Sequence, residues 1–337
     1  MQGRIESQAT KGGTRNFMST ANATSVAVKS KKKLQNKENI IKRFWKTRFL
    51  FLLFLPALIY YIMFKYVPMW GLRMAFYDYN LFAGFDSPFV GLANFEFILQ
   101  IPDFWRIAEN TLALGLQNLL IYFPITIFFA LMLNEIRGVR FKKVTQTVSY
   151  MPHFLSVVIV CSLIRTLLDP TGIVNQVIVA LGGKSTYFLM ENSMFRPIML
   201  ISHTWSGLGW STIVFLAAIS SVDPALYEAA RLDGAGRWRQ MYSITLPAIA
   251  PTVSTMLILQ VGHILDSSME KVLLLQTNLT KVGTAHTLGT YTYDLALGAA
   301  TDYSLSTAVG LLTNIVNMSM LLLANWGSKK LTDSGIF

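Results

Sequence analysis

The chain has 337 residues, of which 53% are hydrophobic and only 14% charged, and its mean hydropathy is +0.44. Soluble domains carry about a quarter charged residues, so the deficit argues for a membrane protein and against a soluble enzyme. The formal charge of +11 does not point to nucleic acid: twelve of the 29 Lys and Arg precede Phe49, in a polar Ser/Thr/Lys-rich stretch without a folded aromatic platform.

Residues 1–45 read as a disordered, basic, cytoplasmic arm. The first 17 of them read as a tag or an upstream misread start ahead of Met18, and no functional argument rests on them. The apolar run after residue 48 begins too late and runs too long for a cleaved secretory signal. A helix needs about 20 mostly apolar residues to cross hydrocarbon. Six stretches qualify, at about 49–69, 111–133, 146–168, 197–219, 248–266 and 305–326. The expected fold is therefore all-α and polytopic, with six transmembrane helices within residues 46–330 and a short cytoplasmic tail at 331–337. Pro56 and Pro124 fall inside spans, which membrane helices tolerate. The third and fifth spans are the least hydrophobic, with Gln146, His153, Gln260 and His263 in or near them.

Orientation follows from the basic residues. With six spans, the arm, the 134–145 loop, the 220–247 loop and the tail share one side, holding 21 of the 29 basic and 7 of the 18 acidic residues. That side is cytoplasmic, and both termini with it. The single cysteine, Cys161, excludes an internal disulfide and makes a redox or metal role unexpected.

The 220–247 loop is the least typical part of the chain. In "SSVDPALYEAARLDGAGRWRQMYSITLP", Asp223 can cap a helix and Pro224 suits its first turn. Gly234 and Gly236 then break that helix, and "RWRQMYSITLP" restarts one that leads into the fifth span. Ala229 and Ala230 leave a flat face for close approach. Glu228 and Arg231, at i and i+3, can pair with each other or with a partner's charges. A plain reversing loop needs fewer residues, and Trp238, Met241 and Tyr242 call for burial against something.

Glu228-Ala229-Ala230, then Gly234 after three intervening residues, Ile244 after nine more, and Leu246-Pro247 after one resemble the signature loop, or EAA motif, of the integral membrane subunits of bacterial ATP-binding-cassette importers. The likeness extends through "YMPHFLSVVIV" and "WSGLGWSTIVFLAAISSVDPALYEAA" and covers nearly everything after residue 45. In style the chain is similar to the carbohydrate-class, binding-protein-dependent permeases for oligosaccharides and polysaccharide fragments. The resemblance implies the type I importer permease fold in the bacterial inner membrane. It also implies that Glu228, Ala229, Ala230, Arg231, Asp233, Gly234, Leu246 and Pro247 form a coupling helix and hinge seated on a cytosolic ATPase. The partners it implies are two ATPase subunits, a second, non-identical permease forming a heterodimer, an extracytoplasmic solute-binding protein, the carbohydrate and membrane lipid.

No catalytic, metal or cofactor site is expected in this chain, with ATP and Mg bound by the ATPase partners. "IVALGGKST" ends like a phosphate cradle, but Ile178 stands where its first glycine belongs. The four histidines show no H-x-x-x-H spacing. Polar residues in spans face bundle interiors or wet cavities. Gln117, Asn118, His203, Gln260, His263, Asp266, Asn314 and Asn317, with Trp205 and Trp210, are therefore candidates for a sugar path; each could instead serve helix packing or interfacial anchoring. The outer segments "YNLFAGFDSPFVG" and 267–304, with Asp294 and Asp302, are expected to meet the solute-binding protein. Two other readings remain open: a polytopic membrane enzyme, and an ion-coupled transporter, which would call for inverted repeats and mid-span charges.

Overall fold

The computed structural model describes residues 47–332 apart from Ser267 and Ala300; the predicted arm at 1–45 lies outside the described residues, as does most of the predicted tail. The described residues form helices and turns, with two isolated backbone bridges, Tyr77 to Phe89 and Asn80 to Gly84. The chain divides into two compact units, residues 1–71 and 72–337.

In the first unit, α1 (Arg48–Tyr61) is built of Leu, Phe and Ile on all sides, as suits a helix surrounded by lipid. It belongs to a helical run, Arg48–Phe76, with a mean hydropathy of 1.9.

The second unit begins with α2 (Ala93–Gln100), α3 (Pro102–Gln117) and α4 (Phe123–Glu135). The last two join into one candidate span, Pro102–Glu135, which starts before the predicted 111 because Pro102 sets the first turn of α3. α5 (Val139–Tyr150), α6 (Val157–Leu168) and α7 (Ile173–Ala180) follow. α8 (Asn192–Ser220) turns by 71° into α9 (Pro224–Leu232), and α10 (Arg237–Ala248) turns by 63° into α11 (Ala250–Gly262). Three short helices, α12 (Met269–Leu275), α13 (Asn278–Val282) and α14 (Leu288–Leu297), precede the long α15 (Tyr303–Thr332). Among the described residues, four helices are long and apolar enough to cross a membrane, and up to six spans result if each bent pair counts as one.

Three wide, π-type turns share one cause. Ile62–Tyr66, Asn118–Tyr122 and Met241–Thr245 each end two residues before a proline, at Pro68, Pro124 and Pro247. Proline offers no N–H, and its ring collides with the carbonyl four residues back. Bonding to the fifth residue back, as Phe123 N–H does to Asn118 O, lets the helix continue past the obstacle.

Two predicted spans need correction. The stretch 146–168 is not one helix: α5 gives way to a 3-10 turn at Met151–Phe154, and α6 starts afresh with the Ser156 side chain accepting from Ile159 N–H at 3.3 Å. Pro152 removes a donor from the α ladder at that point, and the candidate span there is Val157–Ala180. In the fifth predicted span, α11 ends at Gly262, and residues 263–265 form turns closed by His263 N–H to Gln260 O and Ile264 N–H to Val261 O.

The segment predicted as outer, 267–304, packs several of its described residues into the core. Val272, Leu275, Ala285 and Leu288 are buried in two core clusters, together with Leu114, Phe195, Ile107 and Val309. Capping boxes at Thr277/Thr280 and Thr287/Thr290 fix the short helices. Asn110, held by Arg196 at 3.0 Å, donates to the carbonyls of Gly283 and His286 at 2.8 and 3.1 Å. Asp294 and Asp302 both have partners within the chain. Asp294 binds Lys281 at 2.8 Å and His286 at 3.2 Å, and Asp302 accepts from Leu305 N–H at 2.9 Å.

Candidate functional site

Two features stand apart from plain helix packing: a jointed arm and an open cavity walled by polar and aromatic side chains.

The arm is α9, the turn after it and α10. Asp223 accepts from Ala225 N–H at 2.9 Å, so the cap read from the sequence forms. At the other end, Ala235 N–H reaches Ala230 O at 2.8 Å and Gly234 N–H reaches Arg231 O at 3.1 Å. This paired closure is a Schellman motif and requires a left-handed residue between the helices. Gly234 supplies it, at φ +75°. Gln240 then donates to Ala235 O at 2.7 Å, and the Tyr227 hydroxyl meets Thr245 Oγ1 at 2.9 Å, tying α9 to α10.

The arm is anchored from within. Met241 and Ile249 are buried with Ala130, Leu131, Phe215 and Ile219, and Leu246 packs against them. Met241 therefore needs no outside partner, contrary to the sequence expectation. Trp238 and Tyr242 do remain exposed, and Leu232 is 90% exposed. Glu228, Ala229, Arg231, Asp233, Gly234 and Pro247 are exposed, with Ala230 half-buried. Glu228 and Arg231 form no ion pair among the described residues. Both line a cleft of about 750 Å³ with Glu135 at the end of α4, Arg137 just beyond it and Arg237 at the start of α10.

The cavity, of about 440 Å³, falls within the roughly 300–1,000 Å³ of small-molecule sites. It brings together six of the predicted pathway residues: Asn118, His203, Trp210, Gln260, His263 and Asp266. His263 Nδ1 lies 3.0 Å from Asp266 Oδ2, and the His203 ring sits edge-on to Tyr122 at 4.5 Å. Trp210 stacks on His153 at 4.5 Å and 6° between planes. Gly209 makes that pairing possible, because a Cβ there would run into the Ser149 carbonyl; its absence lets α8 lie against α5.

Four candidates, Gln117, Trp205, Asn314 and Asn317, are not part of the cavity wall. Gln117 donates to Arg196 O at 2.8 Å, Trp205 lines a separate apolar pocket with Leu163, Leu167 and Ile201, and Asn314 is exposed on α15. Asn317 accepts from Leu265 N–H at 3.1 Å, closing the turn after α11. The sequence reading missed Tyr122, Ser206, Ser211 and Lys271 in the wall. The Tyr122 hydroxyl lies 2.7 Å from Ser211 Oγ, and Lys271, only 6% exposed, donates to Ser206 Oγ at 3.3 Å. A lysine embedded in "MEKVLLL" was the one available signal. The tempting Gly183-Lys184-Ser185 follows the end of α7, with Gly183 N–H closing onto Ile178 O at 2.8 Å, whereas a phosphate cradle opens a helix.

Long apolar helices, a cavity walled by polar and aromatic side chains and a jointed charged arm together define a membrane-embedded transport subunit. Residues 122–333 match the family described as "Binding-protein-dependent transport system inner membrane component", and the chain belongs to that family. It is similar to the polygalacturonan/rhamnogalacturonan transport system permease protein YteP of Bacillus subtilis (strain 168), with 44% identity over 95% of this chain and 100% of the relative. Protein LplB of the same organism is 41% identical, over 87% of this chain and 92% of its own. Among solved structures, a chain of a bacterial alginate ABC transporter, in complex with an alginate pentasaccharide-bound periplasmic protein, superposes with a TM-score of 0.81. It is 39% identical, covering 88% of this chain and 99% of that one. A chain of a bacterial ABC transporter involved in the import of the acidic polysaccharide alginate gives a TM-score of 0.80 at 39% identity, over 87% and 99%. The fold is that of an ABC importer permease, as the resemblance implied.

Proposed function

We propose that this chain is one of two unlike permease subunits of an ATP-driven importer that carries acidic carbohydrate fragments across the bacterial inner membrane. An extracytoplasmic solute-binding protein delivers the sugar. Two cytosolic ATPases bind ATP and Mg and drive the cycle; this chain holds no cofactor of its own. Both termini are cytoplasmic, which puts the arm from Glu228 to Pro247 on the ATPase side. The acidic character of the cargo is suggested by the names of relatives that handle polygalacturonan and alginate.

The observation that carries this reading is the jointed arm. A capped helix, a left-handed glycine turn and a second helix rooted in the core make a lever whose free face carries Leu232, Trp238 and Glu228, which has no ion pair among the described residues. Such a lever shifts a two-state bundle only if its partner holds the two states with different affinity. ATP-driven closure of the ATPase pair supplies that difference. The cavity, with its hydrogen-bonding wall and aromatic pair, is the path the sugar takes.

The test is Glu228→Lys in the complete importer, reconstituted in proteoliposomes. Membrane insertion stays intact, while sugar uptake is lost and the ATPases dissociate or run uncoupled. Wild-type uptake by this variant refutes the coupling role.

A further inference from the structure

Lys271 is a cation whose setting the fold alone does not explain. It is almost fully enclosed on α12, yet it is part of the cavity wall. Its one hydrogen bond among the described residues is to Ser206 Oγ, and it joins no ion pair there. An ammonium has three donors, so two are left over. The one carboxylate in the wall, Asp266, is engaged by His263. A buried cation without a counter-ion is costly, and proteins keep one where an anion is bound or transported.

We infer that Lys271 reads the substrate's charge: its Nζ binds the carboxylate of a uronate residue as the acidic oligosaccharide passes, with Ser206 holding the side chain in place. This rests on the carbohydrate reading above and extends it by assigning selection for acidic sugars to one residue of the permease. Ser206, which holds Lys271, lies one turn from His203 on α8, and Trp210, one half of the aromatic pair, lies one turn beyond. A sugar ring and its carboxylate are then contacted from one side of the path.

The test uses the complete importer in proteoliposomes, with a radiolabelled galacturonate trisaccharide and its fully methyl-esterified, neutral form as probes. Losing a charge-assisted hydrogen bond should raise the half-saturation concentration for the acidic trisaccharide about 10- to 100-fold in Lys271→Met. Lys271→Arg, which keeps the charge, should stay within about threefold of wild type. Methionine fills the lysine's apolar space, so a purely packing role would leave Lys271→Met as good as wild type and overturn the inference. Equal loss in Lys271→Met and Lys271→Arg would also overturn it, because shape rather than charge would then matter. Wild-type preference for the ester over the acid would overturn this inference alone. ATP-dependent uptake of neither probe by wild type would remove the carbohydrate reading and this inference with it.

Discussion

Gly234 offers a test of the arm with a built-in control. Its φ of +75° is a left-handed conformation, and a Cβ there would meet nothing within 4 Å. The penalty for Gly234→Ala is therefore one of backbone conformation alone, about 1–2 kcal/mol. Opening of the turn should become about 5- to 30-fold more frequent. Gly236, two residues on, sits at φ −67°, also with nothing within 4 Å. Alanine at 236 loses some helix-capping preference but stiffens the unfolded chain, and these small opposing effects should hold the change to about twofold. Hydrogen–deuterium exchange at the Ala235 amide, which bonds to Ala230 O, reads the opening directly. Faster exchange in Gly234→Ala but not in Gly236→Ala is expected. Equal exchange in both variants would refute the assignment of Gly234 as the joint.

Two other predictions concern the second unit. Asp223→Ala removes the side chain that holds Ala225 N–H, at a cost of about 1 kcal/mol to α9, and Asp223→Asn should recover most of it; exchange of the first-turn amides measures both. His286 sets a pH dependence: burial draws its imidazole below the usual 6.5, with Lys281 and Arg106 adding to the fall and Asp294 opposing it. The unfolded chain then takes up the proton first, so this contribution is complete above about pH 6.5 and is lost as the pH falls below it. The thermal midpoint should drop between about pH 7.5 and 5.5, and His286→Gln should shrink that drop; an unchanged slope would count against it.

What could be read in advance was local. The cap at Asp223, the turn at Gly234 and the restart of the helix depend on residues a few positions apart, and backbone chemistry dictates them without knowledge of the bundle. The cavity was legible only in part. In a helix apolar all round, periodicity does not separate a lipid face from a packed or wet one, so Gln117, Trp205 and Asn314 looked as suitable as Asn118, His203 and Trp210. Lys271 escaped notice because its burial is non-local: it meets Ser206 across 65 residues of sequence. Its neighbourhood read as an acidic loop, whereas Val272 and Leu275 fold that stretch into the core. The break at Met151–Phe154 was announced by Pro152, but the flanking apolar residues outweighed it in a span count.

The central claim is that the arm meets a cytosolic motor. Leu232, the most exposed apolar residue of the arm, is the place to ask, and the buried Cys161, the chain's only cysteine, can be replaced by alanine to give a clean background. In that background Leu232→Cys should cross-link to an ATPase subunit, in a yield that changes with ATP, and should resist a membrane-impermeant maleimide added outside intact cells. Labelling of Cys at 232 from outside, with no cross-link to the ATPase, would contradict the account.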